Sequence, residues 1–250
     1  MTGPPAIDAE SLSKRYGSTV AVDSLSLSID RGTVFGFLGP NGAGKTTTMR
    51  MLTGLVEPSS GTARVAGTDV EERRALVDHI GLLPEEPPLY QELTGSEQLR
   101  FAADLRDMSW ESVADRALDL CDRLDLTEDL DRQIDGYSKG MGQKTAFVQA
   151  VQHDPNVVFL DEPTSGLDPR AARTLRELVV DIADDATVFL STHILPVVEE
   201  IADEVGVLHG GDLVATGAPG ELAGRVDDGR EDTNLEDAFL ELTSREAAWD

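Results

Sequence analysis

Cysteine is nearly absent from this chain: Cys121 stands alone among 250 residues. A single thiol cannot close an intramolecular disulfide, and no cysteine-based zinc site can be built on it. Its expected place is that of a small buried apolar side chain in a reducing, intracellular setting. Long apolar runs are missing too. The longest, such as Val157-Val158-Phe159-Leu160, are strand-sized, well short of the ~18 residues that a membrane helix needs. Met1-Thr2-Gly3-Pro4-Pro5 has neither a basic n-region nor an apolar core, so no signal peptide is read there. A soluble cytoplasmic protein is expected, with any membrane role exercised through a partner. Basic residues are scarce: 21 Lys and Arg stand against 47 Asp and Glu, a net charge of -26. Phosphate backbones would be repelled, so a nucleic-acid partner held by a broad basic surface is excluded.

What is present is globular in composition. Hydrophobic residues make up 40 % of the chain, enough for a sizeable core and one or two domains. Lysine occurs only at Lys14, Lys45, Lys139 and Lys144, and the carboxylates are dispersed along the whole length. Dispersed acid with scarce lysine resembles proteins of salt-loving organisms, in which concentrated salt screens the self-repulsion.

Hydrophobic periodicity sorts the chain into segments. Ile7 to Tyr16 and Ser24 to Ile29 alternate like half-buried strands, whereas Val34 to Leu38 is continuously apolar, like a strand buried on both faces. A glycine-rich turn follows, then a helix from Thr46 to Thr53 and a short strand from Gly61 to Val65. Thr94 and Glu97 form a capping box, and Ser109 is placed to cap the next helix, so residues 86 to about 155 read as mostly helical. Val157 to Leu160 and Thr187 to Leu190 flank a helix from Arg170 to Ala183, a pattern of parallel strands with helical crossovers. Val205 to Leu208 and Leu213 to Ala215, joined by Gly210-Gly211, read as a hairpin. Residues 226 to 232 read as an acidic linker. Thr233 and Glu236 then read as a capping box for a last helix through Leu242.

Gly39-Pro40-Asn41-Gly42-Ala43-Gly44-Lys45-Thr46 fits the phosphate-loop pattern G-x-x-x-x-G-K-[ST], placed between a buried strand and a helix. Glycines let successive backbone N–H groups turn inward toward phosphates, and the helix N-terminus adds its positive end. Lys45 would reach the β- and γ-phosphates, and Thr46 would give Mg²⁺ a hydroxyl ligand, with Thr47 beside it. Downstream, Val157 to Leu160 runs into Asp161 and Glu162. A buried strand that delivers two carboxylates at its C-terminal end suits a Mg²⁺ ligand, Asp161, and a residue that polarises an attacking water, Glu162.

Further segments narrow the class. Tyr137-Ser138-Lys139-Gly140-Met141 resembles the signature motif of ATP-binding cassette (ABC) ATPases. Ser165-Gly166-Leu167-Asp168 resembles their D-loop, His193 in Ser191-Thr192-His193 their switch histidine, and Tyr16 the aromatic residue that stacks on adenine. Leu83-Pro84-Glu85 stands where the family has its Q-loop. The match runs from about residue 6 to residue 217. It departs from the common pattern at Tyr137, Lys139 and Met141, and Glu85 replaces a glutamine. With the tail from Leu235 to Thr243, these variants resemble the branch serving multidrug and ABC-2 type exporters.

The resemblance implies an α/β P-loop fold of mixed sheet, with an N-terminal antiparallel β subdomain and an inserted helical subdomain. The ATP-binding domain would span 1–225 and the linker and last helix 226–250. It implies an ATPase using ATP and Mg²⁺, with Glu85 as a further metal ligand and His193 on the γ-phosphate. Two such chains would dimerise head to tail, so that Ser138 and Gly140 of one contact the nucleotide on Lys45 of the other, with Asp168 linking the two sites. The implied function is to power a separate membrane permease, from the inner face of the cell membrane. The alternatives are a cassette of DNA repair or translation and a P-loop GTPase or kinase. The span 86–155 is too short for the long heptad helices of repair cassettes, one ATPase unit is present where translation cassettes carry two, and no Asn-Lys-x-Asp guanine motif occurs.

Overall fold

Two kinds of strand make two sheets. The computed structural model describes residues 3–224 and 235–244. In its N-terminal part β1 (Ile7–Tyr16), β2 (Thr19–Ile29), β4 (Ser60–Val65) and β5 (Thr68–Asp69) form an antiparallel sheet of order β2-β1-β4-β5. Between β2 and β4 the chain leaves for β3 (Val34–Leu38) and α1 (Lys45–Leu52). After β5 come α2 (Arg73–Val77) and β6 (Ile80–Leu83), then the helices α3 (Gly95–Asp104), α4 (Trp110–Arg123) and α5 (Lys139–Val151). The rest runs β7 (Val157–Asp161), α6 (Pro169–Ala183), β8 (Thr187–Thr192), α7 (Leu195–Ile201), β9 (Glu204–His209), β10 (Asp212–Gly217), α8 (Pro219–Ala223) and α9 (Leu235–Ser244).

The second sheet has the order β10-β9-β3-β8-β7-β6. Its strands are parallel except for the β9–β10 hairpin. Both faces are covered, so each central strand is continuously apolar and its alternate residues enter different cores. Phe35, Phe37, Phe159 and Phe189 face α1 and the antiparallel sheet; Phe189 lies 5.6 Å from Phe35, 5.1 Å from Phe37 and 5.5 Å from Phe159, ring centre to ring centre. Val34, Val158, Leu160, Val188 and Leu190 face the other way, against α5, α6 and the inserted helices. Cys121 lies wholly buried in that second core, and burial pushes its thiol up to about 12. It packs as an apolar residue. Among the described residues no helix is long and apolar enough to cross a membrane.

Several local expectations change. Thr94 and Glu97 do form a reciprocal capping box on α3. Ser109 occupies the N-cap of α4, but its hydroxyl accepts no backbone N–H; instead its carbonyl accepts the Ser112 hydroxyl at 2.7 Å. Strand β6, four residues ending at a proline, and helices α2 and α7 were not expected, because each is too short to show a period. The acidic stretch 226–232 and Thr233 lie outside the described residues; Glu236 sits in the first turn of α9.

Candidate active site

The phosphate loop is wound around its own lysine. Lys45, 8 % exposed, donates from Nζ to the carbonyls of Gly39 at 2.6 Å and Pro40 at 3.3 Å. Ala43 closes the turn by donating its N–H to the Pro40 carbonyl at 3.1 Å and is itself buried. With the loop carbonyls turned in to the ammonium and no side chain capping α1, the N–H groups at the start of that helix are left for a ligand. Gly44 makes the entry into α1 at φ +109; a Cβ there would lie 2.4 Å from the Ala21 carbonyl oxygen, so both conformation and space demand glycine. Gly39 is constrained by space: a Cβ would stand 2.5 Å from the Leu208 carbonyl oxygen.

Loop and strands enclose a cavity of about 490 Å³. Asn41, Gly42, Gly44, Lys45, Thr46 and Thr47 line it together with Glu85, Asp161, Glu162 and His193. Burial pulls the Lys45 ammonium below the ordinary lysine value, and the negative charges of Glu162, Asp161 and Glu85 pull it back up. Thr46 Oγ1 donates to Asp161 Oδ2 at 3.0 Å, joining two of the three expected metal ligands directly.

Glu162 is only 8 % exposed and takes φ +48, a left-handed conformation that is strained for a residue with a side chain. Its N–H donates to the Ser191 carbonyl at 2.9 Å. Its Oε1 accepts the His193 backbone N–H at 3.0 Å and His193 Nδ1 at 2.7 Å, and its Oε2 accepts Thr192 Oγ1 at 2.9 Å. Histidine and carboxylate are thus engaged with each other. Thr192 went unnoticed as a site residue in the sequence, although its place between Ser191 and His193 at the end of β8 was the available signal. Ser165, which also lines the cavity, was read only as part of the D-loop.

The remaining expected residues lie elsewhere. Ser138 caps α5, accepting the Met141 N–H at 3.2 Å, and neither it nor Gly140 lines the Lys45 cavity. Asp168 caps α6 by accepting N–H groups of Arg170 and Ala171, each at 3.0 Å, and the Ala171 bond leads in holding its carboxyl below the ordinary value. Tyr16, at the end of β1, is half exposed and stands outside the cavity lining, with the Lys14 ammonium 5.3 Å from its ring centre. Tyr137 anchors the loop before α5 by donating its hydroxyl to the Asp129 carbonyl at 2.7 Å. Two other histidines have structural surroundings. His79 meets Asn156 at 2.8 Å, and His153 meets the Ile80 carbonyl at 3.0 Å, with burial lowering its ring to about 4.

The cavity fits Mg²⁺ only together with phosphates. Among the described residues no group of three or more His, Cys, Asp or Glu side chains could hold a metal by itself. Thr46, Asp161 and Glu85 do bring hard oxygen ligands to the same cavity, and Mg²⁺ commonly takes one or two carboxylates with the rest of its shell from phosphate and water.

A buried-lysine phosphate loop facing two strand-end carboxylates defines a P-loop nucleoside triphosphatase. The ABC transporter family matches residues 22–165, more than half of the chain. The chain is 37 % identical over 211 residues to the bacitracin transport ATP-binding protein BcrA of Enterococcus faecalis, covering 83 % of this chain and 68 % of that one. To the daunorubicin/doxorubicin resistance ATP-binding protein DrrA of Streptomyces peucetius it is 39 % identical over 219 residues, covering 87 % and 66 %. It thus spans about two thirds of the length of these relatives. A solved structure of the ATP-binding subunit of an ABC transporter superposes with a TM-score of 0.88 at 32 % identity, covering 95 % of this chain and 99 % of the other. The chain belongs to the ABC transporter family, as an ATP-hydrolysing, ATP-binding subunit.

Gly44→Ala tests the cradle. It forces a side chain into a left-handed conformation and against a backbone oxygen, so stability should fall by about 1–3 kcal/mol and ATP affinity by about tenfold or more. Denaturant unfolding and nucleotide titration measure the two, and wild-type values in both would contradict the geometry.

Proposed function

We propose that this chain is the energy-coupling ATPase of an exporter, binding Mg²⁺–ATP and powering a separate membrane-embedded permease. The observation that carries the reading is the single cavity on which Lys45, Thr46, Asp161, Glu162 and His193 converge. Drug-transport and drug-resistance functions in the names of BcrA and DrrA support an exporter over a DNA-repair or translation cassette. The permease would hold the chain on the inner face of the membrane.

In this reading the N–H groups of residues 41–47 and the Lys45 ammonium hold the phosphate chain, and Tyr16 offers its exposed ring to adenine. Thr46, Asp161 and Glu85 would hold Mg²⁺, which when bound neutralises phosphate charge. Glu162 receives a proton from water. Oε1 already accepts two N–H donors, so its lone pairs are filled; Oε2 accepts only Thr192 and keeps one lone pair for the water. His193 fixes that orientation. Its Nδ1 carries the hydrogen given to the carboxylate, so its Nε2 can donate to a phosphate oxygen only from the doubly protonated ring.

The placement of Ser138 and Gly140 supports a head-to-tail homodimer. They lie at the start of α5 and outside their own Lys45 cavity, where a second copy's nucleotide would meet them. The opposed Asp168 carboxyls would sit at that contact while capping their own helices.

Two experiments test this reading. Glu162→Gln should keep ATP binding and lose ~10²–10⁴ of the turnover, and the variant should accumulate as an ATP-bound dimer in size-exclusion chromatography. Turnover at the wild-type rate would remove Glu162 from the role. The charge of -26 also supports a protein adapted to concentrated salt. The Debye length falls from ~10 Å at ~0.1 M to ~3 Å at ~1 M salt. Melting temperature and ATPase rate should therefore both rise into molar KCl; full stability and activity in dilute buffer would contradict salt adaptation.

A further inference from the structure

Gln143 lies just beyond the first turn of α5 and is only 2 % exposed. A primary amide in such a place has to find partners inside the protein. Its Nε2 donates to the carbonyls of Glu162 at 3.4 Å and Pro163 at 3.3 Å. Those are the two residues directly after β7, where the backbone passes through the strained conformation of Glu162. Such a conformation persists only where its surroundings hold it.

The neighbouring contacts follow the same line. Lys139, four residues earlier and on the same face of α5, donates from Nζ to Ser165 Oγ at 3.3 Å. Gly140 packs so closely that a Cβ would lie 3.1 Å from the Gly166 carbonyl oxygen. The Glu162 carbonyl also accepts the Ser165 N–H at 3.0 Å. The first turns of α5 therefore lie along residues 162–166, and Gln143 is the buried side chain that spans the two peptides behind the Glu162 carboxylate.

We propose that Gln143 is a positioning residue for ATP hydrolysis. By holding the Glu162 and Pro163 peptides against α5, it fixes the direction in which the Glu162 carboxylate leaves the backbone and keeps Oε2 open to water. It also gives the Ser138 end of α5 a direct mechanical link to Glu162 of the same subunit. The inference rests on the reading of Glu162 as the residue that polarises water, and the test separates the two.

The test is a double-mutant cycle in single-turnover and steady-state ATP hydrolysis, using wild type, Gln143→Leu, Glu162→Gln and the double variant. Leu keeps the volume and removes the donor. Gln143→Leu should lower kcat by about tenfold and leave KM for ATP within about twofold. In the Glu162→Gln background the same change should cost nothing further, because its effect passes through the missing carboxylate. Gln143→Met gives the same reading should the branched side chain impair folding. A wild-type kcat in either Gln143 variant, beside an inactive Glu162→Gln, overturns this inference alone. A loss that adds in full to Glu162→Gln, or a KM that rises in step with the loss, overturns it as well by marking general damage. Wild-type turnover in Glu162→Gln removes the reading of Glu162 and this inference with it.

Discussion

The site depends on one buried cation. A triphosphate is a dense cluster of negative charge, and water solvates it well, so a protein must offer many donors at once to compete. Lys45 does this twice over. Its ammonium draws the carbonyls of Gly39 and Pro40 inward, so it shapes the loop that surrounds it. It also faces the negative charges of Glu162, Asp161 and Glu85, whose combined field would otherwise repel a phosphate. The carboxylates are tolerable in a shared cavity because that cation, and the donors on Thr46, Thr192 and His193, satisfy them.

Sheet order then decides what meets the cradle. β3, β8 and β7 are adjacent and parallel, so their C-terminal ends lie side by side. β3 leads into the phosphate loop, β7 delivers Asp161 and Glu162, and β8 delivers Thr192 and His193. Segments far apart in the chain become hydrogen-bonded neighbours with no long loop. The four packed phenylalanines beneath hold the three strands in that register.

Much of this was legible in the sequence because it is written in local chemistry. Gly39 to Thr46 carries its turn requirements in its residue types, and the runs at Val34 and Val157 announce strands buried on both faces. What was hidden depends on tertiary contact. The engagement of Glu162 with His193 and Thr192 joins two strand ends and leaves no periodic trace. The burial of Gln143 cannot be read from a helix whose polar and apolar positions are poorly segregated. Asp168 was read for a contact between subunits, whereas within one subunit its carboxylate caps α6. Ser109 shows the opposite case, a residue type suited to capping whose hydroxyl accepts no N–H. Strand β6 escaped notice because four residues before a proline give no pattern, although it sets the start of the Glu85 loop.

The role proposed for the loop around Lys45 is to bind the phosphates of ATP for hydrolysis. It is tested most directly by phosphate release from Mg²⁺–ATP in molar KCl, comparing the purified wild-type chain with Lys45→Ala. Steady release is expected from the wild type and none above background from the variant, since the loop loses both its organising cation and its charge on the phosphates. Release by Lys45→Ala at the wild-type rate would contradict it.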